Sequence, residues 1–133
     1  VSRAPAVVMD RVARMCLALP DTTVRPAHGA PAYQIRAKTF ATVMDDHHGS
    51  GRTELWIKGA PGAQREWVDS GGGKYYVPSY VGPTGWIGAW LDIDVDWPAI
   101  GELLVEGYLI QSGRRATERQ DPVALLSGIL ELR

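Results

Sequence analysis

The sequence predicts an α+β domain in which an antiparallel sheet is flanked by helices. Apolar residues at helical spacing open the chain. The period then switches to two over several short runs joined by tight turns, and a helical period returns in the last third. Strands linked by short turns pair antiparallel, and helices must cover a face of such a sheet to bury it. The expected order is α-β-β-β-α-β-β-α plus a C-terminal helix. The 133 residues form one domain, with a core over about 6–115 and a helical extension over 117–133.

Val8, Val12, Met15 and Leu19 recur at spacings that put them on one face of the first helix, with Asp10, Arg11 and Arg14 mostly opposite. Pro20 stops it, and Asp21-Thr22-Thr23 makes the exit turn. Thr23-Val24-Arg25 reads as a short strand leading to a turn or bulge at His28-Gly29-Ala30-Pro31. Tyr33-Gln34-Ile35-Arg36 alternates as a half-buried strand does. After an Ala37-Lys38 turn the pattern continues through Thr39 to Met44, so the two runs make a hairpin. Residues 45–52 form a polar loop, and 53–58 a strand with Leu55 and Ile57 facing one way.

Pro61 near its start favours a short helix to Asp69, ended by Gly71-Gly72-Gly73. Residues 74–80 and 86–93 read as strands around a Gly82-Pro83-Thr84-Gly85 turn. The second is apolar on both faces, with Trp86, Gly88 and Trp90 on one and Ile87, Ala89 and Leu91 on the other. This predicts a central strand covered on both sides. Asp96 caps a helix with a Trp97, Ile100, Leu104, Tyr108 stripe. Gly113-Arg114-Arg115 leads out, and Asp121-Pro122 caps a last helix whose Val123, Leu126, Ile129 and Leu130 share a face.

Hydrophobic residues make up 45% and charged residues 22%, the balance of a globular chain. No apolar run reaches the ~18 residues needed to span a bilayer. The opening Val1-Ser2-Arg3-Ala4-Pro5 has neither Met nor a signal-like stretch, so a cytoplasmic location and no membrane partner are expected. Cys16 is the single cysteine and reads as a buried thiol, which excludes an internal disulfide. Fourteen Lys and Arg stand against fifteen Asp and Glu, a balance that counts against a strongly basic duplex binder. The distribution is uneven. Arg3, Arg11, Arg14, Arg25, Arg36 and Lys38 dominate residues 1–40, whereas Asp92, Asp94, Asp96, Glu102 and Glu106 fill 92–106. This pattern fits a basic and an acidic face, and equally two solvated surfaces of opposite sign.

No residue set assembles a catalytic centre, and no enzyme is expected. Asp45-Asp46-His47-His48 has metal-ligand chemistry, but adjacent residues diverge and a closed site needs further placed ligands. No metal or cofactor is therefore expected. His28 has no nucleophile beside it in sequence. Gly71-Gly72-Gly73-Lys74 is followed by Tyr75, not Ser or Thr, and follows a helix, so it is no phosphate loop.

Several stretches occur in a telling order: Leu19-Pro20-Asp21-Thr22, His28-Gly29-Ala30-Pro31-Ala32-Tyr33, Lys38-Thr39-Phe40-Ala41 and Leu55-Trp56-Ile57-Lys58. Tyr80, Gly85-Trp86-Ile87-Gly88, Leu91-Asp92 and Asp96-Trp97 follow. The ordered set resembles the MmcQ/YjbR family over roughly residues 6–115. The resemblance implies a frataxin-like (CyaY-like) fold and the DNA-binding label that family usually carries, with a proposed double-wing surface. The iron chemistry of frataxins does not carry over, since it relies on an acidic first helix. The helix from Asp121 lies beyond the shared core and is expected to pack on the domain or serve a dimer contact.

The leading expectation is a non-enzymatic nucleic-acid-binding domain. Arg25, His28, Arg36, Lys38, Lys58, Arg114 and Arg115 would make non-specific phosphate contacts with DNA. A second is a small-molecule-binding protein of drug-resistance type, with Tyr33, Tyr75, Tyr76, Tyr80, Trp86 and Trp90 available to line a pocket. A third is a protein–protein adaptor using the C-terminal helix. A monomer or weak homodimer is expected.

Overall fold

The structure is a computed structural model that describes residues 3–132. Val1, Ser2 and Arg133, with the Arg3 side chain counted above among the basic residues, lie outside the described part. Helix α1 (Arg3–Leu17) buries Val12 and Met15 of the expected stripe together with Cys16; Val8 is only partly buried, and Leu19 is buried just beyond the helix end. It ends ahead of Pro20. The one Thr22 hydroxyl hydrogen is shared between the carbonyls of Cys16 and Leu19, each 2.8 Å from Oγ1, and so serves acceptors that a helix end leaves open. Burial pushes the Cys16 thiol well above its usual range, which makes it a packing group and not a nucleophile.

Four strands precede the second helix where three were expected: β1 (Thr22–Ala27), β2 (Ala30–Ile35), β3 (Lys38–Asp45) and β4 (Thr53–Ile57). The one left out of the expected order is β1, read as a short strand at Thr23-Val24-Arg25 and found to extend through Pro26 to Ala27. It lies at the sheet edge, the place where a strand tolerates a missing donor. Two-residue turns join β1 to β2 and β2 to β3. His28-Gly29 (φ 52° and 80°) and Arg36-Ala37 (φ 51° and 67°) are left-handed at both positions, which suits the twist of tight hairpins. The second turn falls one residue earlier than expected, since Ile35 pairs with Lys38. The β2–β3 register slips between Tyr33 and Gln34, leaving Phe40 as an extra residue. That bulge lets neighbours Phe40 and Ala41 both enter the core.

Helix α2 (Ala63–Ser70), β5 (Tyr75–Tyr76), β6 (Ile87–Trp90) and α3 (Trp97–Ser112) come next, then α4 (Arg114–Arg119) and α5 (Pro122–Leu130). The sheet order is β1-β2-β3-β4-β6-β5, antiparallel throughout. The strand expected over 74–80 shrinks to Tyr75–Tyr76. Pro78 lacks an N–H, and Tyr80 (φ 64°) turns the chain toward a 3-10 turn at Gly82–Thr84. β6 is internal, as expected, though shorter than 86–93.

One continuous core joins the helices to Tyr33, Val43, Leu55, Ile57, Ile87 and Ala89. Ala32, Met44 and Trp56 are buried too but lie outside that core, on the opposite sheet face. Asp96 caps α3 by accepting from Ala99 N at 3.1 Å, and Tyr108 of α3 donates to Pro20 O at 2.8 Å. Asp121 caps α5 through Val123 N at 3.0 Å. The C-terminal extension packs on its own domain. Ile129 is buried, and Leu126 and Leu130 lie against Gly101 of α3. Val123, placed by its spacing on the same apolar face, is exposed. Helix α4, unforeseen from the sequence, is tied to α3 by Thr117 Oγ1 donating to Leu109 O at 2.8 Å. No helix among the described residues is long and apolar enough to cross a membrane.

Two substitutions test these contacts. A Cβ on Gly107 would sit 2.9 Å from Lys58 O and Ile57 Cγ2, and 3.2 Å from Phe40 O. Alanine gains ~1 kcal/mol in helix propensity, but the sheet backbone cannot give way. Gly107→Ala is expected to lose ~1–3 kcal/mol net, read as a lower urea midpoint. Ala37→Gly should act oppositely, raising stability by ~0.5–1 kcal/mol by relieving a left-handed Cβ.

Candidate functional site

Helices cover one sheet face, so the other must bury itself with strand side chains. Two cross-strand rows do this. Thr42, Trp56, Gly88 and Tyr76 lie side by side, and Met44, Glu54 and Trp90 form the next row. Gly88 is required there because the Tyr76 ring occupies the place of its Cβ. The Tyr76 ring stacks on Trp90 with centroids 4.1 Å apart at 22°. The Arg52 guanidinium covers Trp90 at 3.8 Å and is gripped by Asp92, with Nε to Oδ2 at 2.7 Å and Nη2 to Oδ1 at 2.8 Å.

Glu54 is a buried carboxylate on this face. Its Oε1 accepts from Trp56 Nε1 at 3.0 Å and from the Tyr76 hydroxyl. Burial and this carboxylate hold the Tyr76 phenol far above its ordinary range, so it remains a donor. The bond to Trp56 fixes the indole plane.

The β3–β4 loop builds the wall beside Trp56. Asp46 N donates to Arg52 O at 2.8 Å, and Asp46 Oδ1 accepts from Gly51 N at 2.7 Å, closing the loop. The enclosed 3-10 turn His47–Gly49 sets His47 edge-on to Trp56, with centroids 5.3 Å apart at 81°. Tyr80 arrives from the β5–β6 connection, 6.2 Å from His47, and its hydroxyl lies 3.4 Å from His48 Nε2. These groups, with His28 and Pro31 of the first hairpin and, from the helix side, Met9 of α1 and Val43, border a cavity of about 710 Å³. The lining includes Asp45 and Asp46 but no Lys or Arg among the described residues. His47 Nε2 is buried and makes no hydrogen bond to the protein.

Backbone strain collects here. Of the seven non-glycine residues with positive φ among those described, His28, Asp46, His48 and Tyr80 line the cavity. Such conformations cost about 1–3 kcal/mol each and persist where the surroundings over-determine them.

Asp45 accepts from Thr53 Oγ1 at 2.9 Å, while Asp46 is turned to Gly51. Among the described residues no three His, Cys, Asp or Glu side chains converge as metal ligands.

The residues expected to contact phosphate separate. Arg36 donates to Ser112 O at 3.3 Å, which places the β2–β3 turn, and Lys38 with it, beside the end of α3 from which Arg114 and Arg115 follow. Arg114 pairs with Glu118 at 3.8 Å. Lys58 is committed to Thr84 O at 3.1 Å. Arg25 is exposed midway along β1, and His28 lies at the opposite end of the hairpin from Arg36. Of the aromatics expected in a pocket, Tyr76, Tyr80 and Trp90 belong to the open face, whereas Tyr33 and Tyr75 are core. Sequence reasoning passed over Trp56 and Glu54. The signal for them was present, since they alternate with Leu55 and Ile57 and so had to face away from the helices.

Fold and site define a class: an α+β domain whose six-stranded antiparallel sheet carries helices on one face and an aromatic hollow on the other. The chain belongs to the YjbR family, whose model matches residues 17–110. This upholds the resemblance drawn from the ordered motifs. Among solved structures the fold is similar to that of Deinococcus radiodurans protein DR2400, a DUF419-domain protein. The TM-score is 0.67 at 18% identity, over 84% of this chain and 85% of that one. No curated protein matches the sequence.

Hydrogen bonds from Arg52 hold the Asp92 carboxyl below its usual range. A depressed carboxylate stabilises the fold above its unfolded value and loses that contribution as pH falls through the folded value. Asp92→Asn is expected to cost ~0.5–1 kcal/mol at neutral pH, the pair being partly exposed. The gap from the parent should close below about pH 4. Urea unfolding at neutral pH and near about pH 3 checks this; an unchanged gap contradicts it.

Proposed function

We propose that the protein is a binding domain whose open-face cavity takes a small planar molecule. The observation that carries this is the cavity of about 710 Å³ walled by His47, Trp56 and Tyr80. Its size lies within the ~300–1,000 Å³ of small-ligand sites, which are largely apolar with a few placed polar groups. Trp56 is held by Glu54, and the loop carrying His47 is closed by Asp46, so the walls are set before a ligand arrives. The reading is one of binding and not of catalysis, because Asp45 and Asp46 spend hydrogen bonds on holding the loop.

Tyr80 provides the test because it is 76% exposed and carries little of the fold. Titration with acridone, a neutral planar probe, is followed by tryptophan fluorescence and calorimetry. Tyr80→Ala should weaken binding about tenfold, corresponding to ~1–1.5 kcal/mol of ring contact, with the unfolding midpoint unchanged. Equal affinity in parent and variant would sink the reading.

Nucleic-acid binding is a second proposal of another class, supported by the placement of Arg36, Lys38, Arg114 and Arg115 at one end of the molecule. The family resemblance points the same way. Anisotropy of a labelled random duplex should then show affinity that collapses between ~50 and ~200 mM salt. Replacing Lys38 and Arg115 with Ala should reduce the salt slope. Absence of binding at the lower salt removes this reading and leaves the cavity proposal untouched.

A further inference from the structure

We infer that the cavity selects planar ligands bearing positive charge or hydrogen-bond donors, and rejects anionic ones such as phosphate-bearing molecules. This rests on the reading of the cavity as a ligand site and adds the chemical class.

The charges around the hollow are one-sided. Asp45 and Asp46 line it, and no Lys or Arg does so among the described residues. Each aspartate uses Oδ1 within the loop, Asp45 for Thr53 and Asp46 for Gly51. A carboxylate has two oxygens and about four acceptor sites, so both keep capacity for a donor on a ligand. Arg52, a cation on this sheet face, is turned to Asp92 and the Trp90 ring. Its charge is therefore answered outside the cavity.

The aromatic wall has the same preference. Ring faces carry negative potential and attract cations, tryptophan most strongly. Trp56 donates its indole N–H to the buried Glu54 carboxylate at 3.0 Å, which places a negative charge at the ring edge. That charge reinforces the potential a cation meets at Trp56 and opposes an anion. An anion entering the hollow would lose water and find two carboxylates, with the imidazoles of His28, His47 and His48 as donors but no Lys or Arg among the described lining residues to offset the charge. A planar cation would find rings for its faces and carboxylate oxygens for its donor edge.

The experiment uses three tricyclic probes of nearly one shape at neutral pH and fixed ionic strength: 9-aminoacridine as cation, acridone as neutral molecule and acridine-9-carboxylate as anion. The intact chain should bind the cation at least tenfold tighter than the anion, with acridone between them. In the double variant Asp45→Asn, Asp46→Asn the cation should lose threefold to tenfold while acridone is unchanged. Asparagine keeps an acceptor oxygen for Thr53 and Gly51 and tolerates the left-handed backbone of Asp46, so the loop is preserved. Asp94→Asn, outside the cavity lining, should alter neither affinity. Anion binding as tight as that of the cation overturns the charge inference while the cavity reading stands. Equal losses for cation and acridone in the double variant also overturn it. If none of the three probes binds, the cavity reading itself falls.

Discussion

A sheet with helices on only one side has to bury its second face with its own side chains, and the pairing of Gly88 with Tyr76 makes that feasible here. The missing Cβ lets the phenol lie flat on β6, where it reaches Trp90 on one side and Glu54 on the other. Glu54 can then be buried without an unsatisfied charge, because two donors converge on one oxygen. Trp56 is fixed in turn, and the cavity gains a rigid floor. A larger residue at position 88 would displace the ring and loosen each later contact in the chain.

The rim is built differently. Four of the residues bordering it hold left-handed backbone conformations without being glycine; short polar bonds within the β3–β4 loop keep Asp46 and His48 there, while His28 sits in the tight β1–β2 turn and Tyr80 in the β5–β6 connection. Strain of this kind is concentrated where side chains must be aimed across a gap. His47 illustrates the outcome: its ring is turned inward against Trp56, away from the water that its polar loop would suggest.

Charge follows a similar local logic. Arg14, Arg52, Arg65 and Arg114 each have an acidic partner close by. Within the basic stretch of residues 1–40, Arg25 lies midway along β1 whereas Arg36 and Lys38 lie at the β2–β3 turn, so these charges are spread along the first hairpin. The cations that do gather lie at the end of the molecule beside the C-terminus of α3, while the cavity is bordered by aspartates.

The sequence by itself determined the α+β class, the family, the stop of α1 and the N-terminal caps of α3 and α5. Those signals are local: apolar periodicity, Pro20 as a stop, Asp96 and Asp121 as caps. It misjudged the extent of β1 and of the 74–80 run, and it missed α4. A proline reads as a break unless the strand is known to be an edge, and strand length depends on a partner far along the chain. Only the tertiary structure decided the candidate site. Residues near 28, 46, 56 and 80 meet because the strand register of β2, β3 and β4 brings two hairpin ends together. Register is a long-range property set by the bulge at Phe40 and by which face the helices claim. No run of neighbouring residues encodes it.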